Sequence, residues 1–333
     1  IIAKEAGFGV TGSDVSEVFI TDKELEKAGI TPFVGFDKKH VVDADLVIAT
    51  SAHGGMENVE AKTADEKGIP VLNQGRALGL FMSGEILGRS YGGISVAGSH
   101  GKTTTTAMIA TVLTNCSLDP SYVIGSADIP SLSSCGHFGR GEYFVTEADE
   151  YFADALTDKT PKFLFQNPQI LAVTNIDFDH PDIYTGVDEI RRIFIEFTKN
   201  ITPEGVLIAC GDGVENRKFL SEVNVRKITY GVSQDNDFIL ERESSTVDKM
   251  FFWVKSKDTI LGQFSMNVFG AQNALNGLCS VVVGLEIGLS IAQIKKALST
   301  FSGTKRRSEF IGNLPSGGLL YDDYAHHPTE IKE

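Results

Sequence analysis

A glycine loop at residues 98–103 carries residue types that bind phosphate. Its sequence is G-S-H-G-K-T, and it lies between an apolar strand at residues 94–97 and a stretch with a helical apolar face. A strand, a glycine turn and a helix in this order direct backbone N–H groups at one point, where a polyphosphate fits. Lys102 can reach the outer phosphates, and the Thr103 hydroxyl can hold Mg²⁺. The loop therefore predicts use of a nucleoside triphosphate.

This loop departs from the usual G-x-x-x-x-G-K-[ST] spacing. Only two residues separate Gly98 from Gly101, and Val96 stands where the first glycine would be. A glycine-rich turn with a chance Lys-Thr pair is the alternative, but strand, turn, Lys-Thr and helix fall in the right order for a phosphate loop. The predicted nucleotide contacts in the loop are Gly98, Ser99, His100, Gly101, Lys102, Thr103 and Thr104.

Carboxylates follow the apolar strand predicted at residues 143–146. In a parallel sheet, side chains just past a strand end face the crevice where ligands bind. We expect Glu147 to ligate Mg²⁺, which prefers oxygen ligands and shares them with phosphates. For Asp149 and Glu150, metal ligation and an acidic solvated loop are equally open.

Two further groups are candidates for the same crevice. The strand predicted at residues 170–174 is followed by Asn175, a candidate contact for a base or for the loop after the strand at 143–146, and by His180, a candidate metal ligand. An isolated histidine is more often a structural hydrogen bonder, so that alternative stays open. The basic cluster of Lys305, Arg306 and Arg307 is either solvated or pairs with phosphate, for which the arginine fork is suited.

A polar group near the end of the chain comprises Asp322, Asp323, His326 and His327. Its alternative interpretation is a helix N-cap ahead of Pro328.

The elements that must position these residues follow an α/β pattern. Residues 1–90 predict strands at 8–11, 31–34, 46–50 and 70–72 and helices at 22–28, 59–67 and 77–87. This alternation predicts a parallel sheet covered by helices, a Rossmann-like domain. Asp14 is a candidate ribose contact in such a half-sheet. The glycine-rich turn that precedes such an Asp is absent, which disfavours a nicotinamide dehydrogenase, and we expect the first strand and that loop to lie upstream of Ile1.

Residues 91–313 predict a central P-loop ATPase-type α/β domain. Beyond the phosphate loop, strands are predicted at 143–146, 170–174 and 206–209, an antiparallel meander at 237–268, and helices at 272–286 and 291–299. We expect the meander to be a small antiparallel β appendage. Residues 314–333 then begin a C-terminal domain that we expect to be largely absent from the chain.

Composition excludes several classes of protein. The chain has 333 residues, with 30 basic and 44 acidic side chains and a net charge of −14, which argues against a nucleic-acid surface. Its four cysteines have neither disulfide-framework nor zinc-site spacing, and we expect them to pack in the core. No apolar run reaches the 18 residues or so of a spanning helix. We therefore expect a cytoplasmic protein without a membrane partner.

The ordered motifs resemble those of the Mur ligases, ATP-dependent ligases of peptidoglycan precursor synthesis. The phosphate loop G-S-H-G-K-T-T-T resembles the family's G-T-x-G-K-T-[ST]. The motifs E-A-D-E, T-N-I-D-F-D-H-P-D-I-Y, G-A-Q-N-A-L-N, K-R-R and D-D-Y-A-H-H-P-T-E follow in the family's order along the whole chain. The branch it resembles joins L-alanine to UDP-N-acetylmuramate. T-S-A at 50–52 resembles that branch's UDP-substrate loop, which implies substrate contacts from Ser51 and Ala52.

The resemblance implies a mechanism and a set of site residues. ATP phosphorylates the lactyl carboxylate of the sugar to an acyl phosphate, which the amine of the amino acid then attacks. The implied roles are Lys102 on the β- and γ-phosphates, Thr103 and Glu147 on one Mg²⁺, His180 on a second, Asn273 and Asn276 at adenine, Arg306 or Arg307 at the γ-phosphoryl group, and Asp323 and His326 at the nucleotide.

Some residues depart from the family pattern. Gln272 stands where histidine is usual, and position 195 is Ile where several Mur ligases carry a carbamylated lysine, so we expect none. The motifs E-A-D-E-Y and F-D-H-P-D-I-Y and residues 158–163 look closer to murein-peptide ligase, which attaches a recycled tripeptide to the same UDP-sugar. That enzyme is the near alternative. An ATP-dependent switch or kinase built on the same loop is the alternative from another class.

The loop generates a direct prediction. Lys102→Ala in the full-length enzyme is expected to abolish ATP-dependent turnover, because no other residue of the loop can place a positive charge on the outer phosphates. Phosphate release measures turnover, and circular dichroism checks that the fold is retained. Turnover at the wild-type rate would contradict the interpretation of residues 98–103 as a phosphate loop.

Overall fold

The computed structural model describes residues 1–246, 249–257, 259–268, 270–307, 309–328 and 331. Its N-terminal part comprises α1 (Ile2–Glu5), β1 (Ser13–Asp14), α2 (Asp22–Lys27), β2 (Phe33–Val34), β3 (Val47–Ala49), α3 (Val59–Glu66), β4 (Val71–Asn73) and α4 (Gln74–Ser83). Strand β1 pairs with β2 and β3 with β4, both in parallel. The strands thus form two separate two-stranded sheets in the described residues.

A ten-stranded sheet forms the centre of the protein. The chain passes through β5 (Gly92–Ala97), α5 (Lys102–Asn115), β6 (Ser121–Val123), β7 (Gly136–His137), β8 (Tyr143–Glu147), β9 (Phe152–Asp154), β10 (Asp158–Pro161), β11 (Ile170–Val173), α6 (Val187–Thr198), β12 (Val206–Cys210), α7 (Val214–Glu222), β13 (Lys227–Gly231), β14 (Phe238–Ser245), β15 (Met250–Ser256), β16 (Thr259–Met266), α8 (Ala271–Glu286), α9 (Ile291–Leu298), β17 (Glu309–Asn313) and β18 (Leu319–Asp322). The sheet order is β16-β15-β14-β13-β12-β11-β5-β8-β6-β7, while β9 with β10 and β17 with β18 form separate hairpins.

Both faces of the central sheet are covered, which explains its continuous apolar strands. In β11, Ile170 and Ala172 join the core that contains α5, α8 and α9, whereas Leu171 and Val173 join the core that contains α6 and α7. Successive side chains of a strand point to opposite faces, so a strand buried on both sides has no polar alternation. Helix α5 is buried along Thr103–Leu113 and lies at the centre of the first core.

The structure confirms the α/β class and most predicted elements, with three corrections. The strand predicted at 8–11 is wrong, because the described backbone pairs only at Ser13–Asp14. The helix predicted at 77–87 begins earlier and ends earlier, since the Asn73 side chain caps its start and Gly84 ends it in the left-handed region. The meander is no appendage, because β14 pairs in parallel with β13 and extends the central sheet. The predicted boundary at residue 314 falls inside the β17–β18 hairpin, and the division into domains remains a proposal.

Two of the four cysteines pack in the core as predicted. Burial raises the pKa of the Cys210 thiol to about 12 and that of the Cys279 thiol to about 12. Cys116 and Cys135 are half-buried free thiols. Among the described residues, no helix combines the length and the apolar character needed to cross a bilayer.

The N-terminal part packs tightly on the central part. The Asp154 carboxylate accepts from the Met56 N–H at 2.9 Å, and the Arg89 guanidinium donates to carbonyls of Gly139, Arg140 and Gly141. At Gly79 in α4, an added Cβ would lie 2.1 Å from the Phe165 carbonyl oxygen. Helix α4 therefore approaches the backbone at 162–165 more closely than any side chain at that position allows.

Gly79→Ala is expected to lower the free energy of unfolding by about 1–2 kcal/mol, because the clash outweighs the ~1 kcal/mol gained in helix propensity. Gly9→Ala is the matched control, since an added Cβ there meets no atom within 4 Å. Denaturant unfolding measures both variants. Equal stability of the two would show that α4 does not dock as described.

Candidate nucleotide-binding site

The phosphate loop between β5 and α5 requires both of its glycines. Gly98 has φ 139° and Gly101 has φ 81°, values that side chains disfavour. A Cβ at Gly98 would lie 2.0 Å from Thr174 Oγ1, and one at Gly101 would lie 2.8 Å from Asn276 Oδ1. The two glycines thus allow the loop to lie close to Thr174, directly after β11, and to Asn276 on α8.

The residues after β11 fix the shape of this loop. The Asn175 side chain accepts from the His100 N–H at 2.8 Å and donates to the His100 carbonyl at 3.0 Å. Thr174 Oγ1 donates to the same carbonyl at 2.6 Å, and Ser99 Oγ donates to the Asp177 carbonyl at 3.0 Å. Asn175 therefore holds the phosphate loop, where the sequence suggests the loop after β8, and its contact with a base stays a prediction. Thr174 carried no signal in the sequence.

Lys102 is held by a buried carboxylate. Its Nζ donates to both oxygens of Glu150, at 2.9 and 3.0 Å, and to the Gly98 carbonyl at 2.7 Å. Glu150 is 1% exposed and Lys102 is 16% exposed. Burial alone lowers the pKa of Lys102, but the Glu150 carboxylate and its acidic neighbours outweigh it and hold the pKa above its ordinary value. The lysine is thus charged and already paired.

Glu147 and Thr103 present oxygen atoms at the start of α5. Thr103 Oγ1 donates to Glu147 Oε2 at 2.8 Å, and the Gly125 N–H donates to Glu147 Oε1 at 2.6 Å. Burial raises the pKa of Glu147, against the effect of those two donors and of the charges of Lys102 and Arg307. A half-buried carboxylate beside a hydroxyl is a donor set that suits Mg²⁺, so these two residues fit the predicted ion.

His180 lies next to Glu150 and Asp179. Its Nε2 is 3.4 Å from Glu150 Oε1 and 3.8 Å from Asp179 Oδ2. The hydrogen bond to Glu150 raises the pKa of His180, although burial acts in the opposite direction. The backbone of His180 has φ 54°, in the left-handed region. Such strain is commonest at functional sites. The side chains of Glu150, Asp179 and His180 lie close enough together to hold a metal ion.

The pair predicted at adenine lies against the loop. Asn276 is buried on α8 beside Gly101, and its Nδ2 lies 3.4 Å from Asn273 Oδ1. Helix α8 therefore adjoins the phosphate loop, and the adenine contact remains a prediction for both residues.

The basic cluster reaches the same region from the segment before β17. The Arg306 and Arg307 guanidinium groups lie 4.9 and 5.5 Å from the Tyr324 ring centre, and the charge of Arg307 opposes the rise in the Glu147 pKa. The ammonium group of Lys305 lies 3.7 Å from the Asp128 carboxylate. The charge of Arg307 thus acts on Glu147.

The polar group at the end of β18 makes local contacts through Asp323 and His326, while His327 Nε2 lies 3.0 Å from the Phe178 carbonyl oxygen. Asp323 Oδ1 accepts from the Ala325 N–H at 2.7 Å, and His326 Nδ1 lies 3.0 Å from the Tyr324 carbonyl. Arg306 Nε lies 3.6 Å from Asp322 Oδ2. These contacts suit a turn, and the nucleotide contacts of Asp323 and His326 stay predictions.

A cavity of about 580 Å³ opens in the N-terminal part. Asp14 and Ala52 line it, and Ser51 lies next to Ala52 outside the lining. His53 Nε2 is 3.6 Å from Asp14 Oδ1. Glu60, which the sequence did not single out, also lines the cavity and accepts from Ser13 Oγ at 2.7 Å.

One segment connects this cavity with the phosphate loop. Residues 147–154 contribute Glu147 to Thr103, Glu150 to Lys102, and Asp154 to the Met56 N–H beside the cavity. From the sequence, metal ligation and a solvated loop are equally open for Glu150, because the motif E-A-D-E does not show which of its acidic side chains is buried. Its burial places it with the phosphate-binding lysine.

The ion pair generates a stability prediction. Lys102→Met is expected to lower the free energy of unfolding by about 3 kcal/mol, because Glu150 stays buried without its lysine partner. Lys102→Met with Glu150→Gln is expected to recover most of that loss without restoring turnover. The control is Lys199→Met, which removes an exposed partner of Glu196 and is expected to change stability by less than about 1 kcal/mol. Equal losses at Lys102 and Lys199 would contradict a buried pair.

Comparison with known proteins identifies the family. The family model described as Mur ligase middle domain matches residues 96–284, and the one described as Mur ligase family, catalytic domain, matches residues 1–85. The UDP-N-acetylmuramate–L-alanine ligase of Desulfitobacterium hafniense is 37% identical over 332 residues, which cover 100% of this chain and 70% of that protein.

Solved structures agree with this assignment. UDP-N-acetylmuramate–alanine ligase from Thermotoga maritima superposes with a TM-score of 0.79 at 27% identity, over 97% of this chain and 70% of that one. The UDP-N-acetylmuramate:L-alanyl-γ-D-glutamyl-meso-diaminopimelate ligase from Neisseria meningitides gives 0.77 at 26% identity, over 92% and 94%. With motifs, fold and relatives in agreement, the chain belongs to the Mur ligase family of ATP-dependent ligases.

Proposed function

We propose that this protein joins L-alanine to UDP-N-acetylmuramate in peptidoglycan precursor synthesis, with ATP as the energy source and Mg²⁺ as the metal. The observation that carries the proposal is the segment 147–154, which contacts the phosphate loop at one end and the wall of the 580 Å³ cavity at the other. An anhydride and a nucleotide sugar can therefore lie side by side. The names of the relatives support L-alanine as the amine.

The chemistry needs two transfers. The lactyl carboxylate attacks the γ-phosphorus and ADP leaves, which gives an acyl phosphate. The amine then attacks the acyl carbon, and inorganic phosphate leaves as the amide forms. Neither step requires a covalent bond to the protein, so catalysis consists mainly of positioning and of neutralising charge.

The residues of the chain divide this work. We assign Lys102 to the phosphate oxygens, toward which it would turn from the Glu150 carboxylate, so it would bring positive charge to the transferred group. The N–H groups at the start of α5 face the phosphates. Arg307, whose charge already acts on Glu147, is the arginine we assign to the γ-phosphoryl group. Asp14 and Ala52 line the cavity that we assign to the UDP moiety.

Thr103 and Glu147 would hold Mg²⁺, and His180 would ligate a second ion. When bound, the metal neutralises negative charge on the phosphate oxygens. Two hydrogen bonds from the protein would keep Glu147 ionised and oriented. The Gly125 N–H at 2.6 Å and the Thr103 hydroxyl at 2.8 Å both act in that sense, and they oppose the effect of burial on the Glu147 pKa.

Murein-peptide ligase activity is the second candidate. The loop motifs E-A-D-E-Y and F-D-H-P-D-I-Y favour it, and the Neisseria ligase superposes nearly as well as the Thermotoga enzyme. The first curated relatives, at 34–39% identity, are all alanine ligases, and this supports L-alanine as the acceptor.

The acceptor decides between the two. Full-length enzyme with UDP-N-acetylmuramate and Mg-ATP is expected to release phosphate with L-alanine at a kcat/KM at least about tenfold above that with the tripeptide L-alanyl-γ-D-glutamyl-meso-diaminopimelate. Reactions without any amine and without the UDP-sugar serve as controls. Turnover with the tripeptide alone would overturn the alanine assignment, and phosphate release that ignores the UDP-sugar would support an ATP-dependent switch.

A further inference from the structure

Two imidazoles and a carboxylate meet where the phosphate loop contacts the segment after β18. We propose that this histidine–aspartate cluster, His100, Asp177 and His327, binds a transition-metal ion of the Zn²⁺ type and fastens the segment to the loop. The proposal is independent of the ligase function, since metal binding is measured by itself. It is also separate from the Mg²⁺ site assigned to Thr103 and Glu147.

The spacing of the three side chains suits one ion. Their candidate ligand atoms all lie within 4.8 Å of one another. His100 Nε2 and Asp177 Oδ2 are 3.5 Å apart, and the rings of His100 and His327 are 4.6 Å apart between centroids. Two ligands of a tetrahedral Zn²⁺, with bonds of ~2.0–2.1 Å, are about 3.3 Å apart. The first pair already has that separation, and the third ligand must approach by about 1.5 Å at most.

Hydrogen bonds already hold two of the three proposed ligands, His100 and Asp177, in place. The His100 backbone is held by the Asn175 side chain at 2.8 Å. The Asp177 N–H donates to Ser99 Oγ at 2.9 Å, and that hydroxyl donates to the Asp177 carbonyl at 3.0 Å. Because the supporting hydrogen bonds exist before any metal arrives, little conformational entropy is lost when the ion binds.

We assign Nδ1 of His327 as the nitrogen that would ligate the ion. Its Nε2 lies 3.0 Å from the Phe178 carbonyl oxygen. A carbonyl only accepts, so this contact places the hydrogen on Nε2 and the lone pair on Nδ1. Metal-binding imidazoles usually donate their other N–H to a carbonyl or carboxylate in this way.

The donor set selects the class of metal. Two imidazoles with one carboxylate suit Zn²⁺, Co²⁺ or Ni²⁺, whereas Mg²⁺ prefers oxygen ligands and retains water. Three protein ligands also leave a fourth position for water. An ion held there would join the phosphate loop to residues 323–328, so the loop and this segment would move together.

Cobalt reports on the cluster directly. The full chain, in excess Mg²⁺, is titrated with Co²⁺ while visible d–d absorption and bound metal are measured. We expect one Co²⁺ per chain, displaced by Zn²⁺. His327→Gln and Asp177→Asn are each expected to weaken Co²⁺ binding at least about tenfold.

Two control variants separate this cluster from its neighbours. His326→Gln removes the adjacent imidazole, and His180→Gln removes the histidine of the cluster with Glu150 and Asp179; both are expected to retain the Co²⁺ absorption. Thermal unfolding without metal checks that His327→Gln folds like the wild type. The proposal is overturned if Co²⁺ fails to bind, if binding survives His327→Gln, or if only His180→Gln removes it.

Discussion

The buried ion pair between Lys102 and Glu150 is the interaction around which the candidate site is arranged. Before ATP binds, no phosphate is present to pair with the charge of Lys102. The Glu150 carboxylate, which is 1% exposed, pairs with it instead. The same carboxylate lies beside His180, and the carbonyl of Glu150 accepts from the Tyr184 hydroxyl. In the proposed function, nucleotide binding would exchange the Glu150 carboxylate for phosphate oxygens at Lys102. Lys102 and Arg307 would thus bring positive charge to a triphosphate in a chain with a net charge of −14.

Sheet order explains why residues so distant in sequence share this site. Strands β11, β5 and β8 are adjacent and parallel, so the loops at their carboxyl ends converge on one crevice. The loop after β5 supplies Lys102, the end of β8 supplies Glu147, and the loop after β11 supplies Asn175 and His180. Helix α4 packs closely on the central part, with Gly79 against a carbonyl, and the hydrogen bond between the Met56 N–H and Asp154 joins the segment after β8 to the region of the cavity.

Much of this could be predicted from the sequence where the signal is local. Apolar strands buried on both faces, the glycine turn and the Lys-Thr pair are all short-range patterns, and the strand ends located Glu147 and His180. Contacts that depend on tertiary packing could not be predicted. Asn175 carries nothing that reveals its partner, and Glu150 differs from Asp149 only in burial. The sequence predicts the meander as an appendage because an alternating pattern indicates antiparallel strands but does not show that β14 pairs with β13.

The central claim is that a carboxylate becomes an acyl phosphate at this site. It is tested most directly with UDP-N-acetylmuramate carrying ¹⁸O in its lactyl carboxylate, by mass spectrometry of the phosphate released during turnover with L-alanine. Phosphoryl transfer to the carboxylate, followed by cleavage of the acyl C–O bond, predicts one ¹⁸O in each released phosphate. Phosphate without the label would mean that ATP is hydrolysed by water, as in a switch, and would contradict the account.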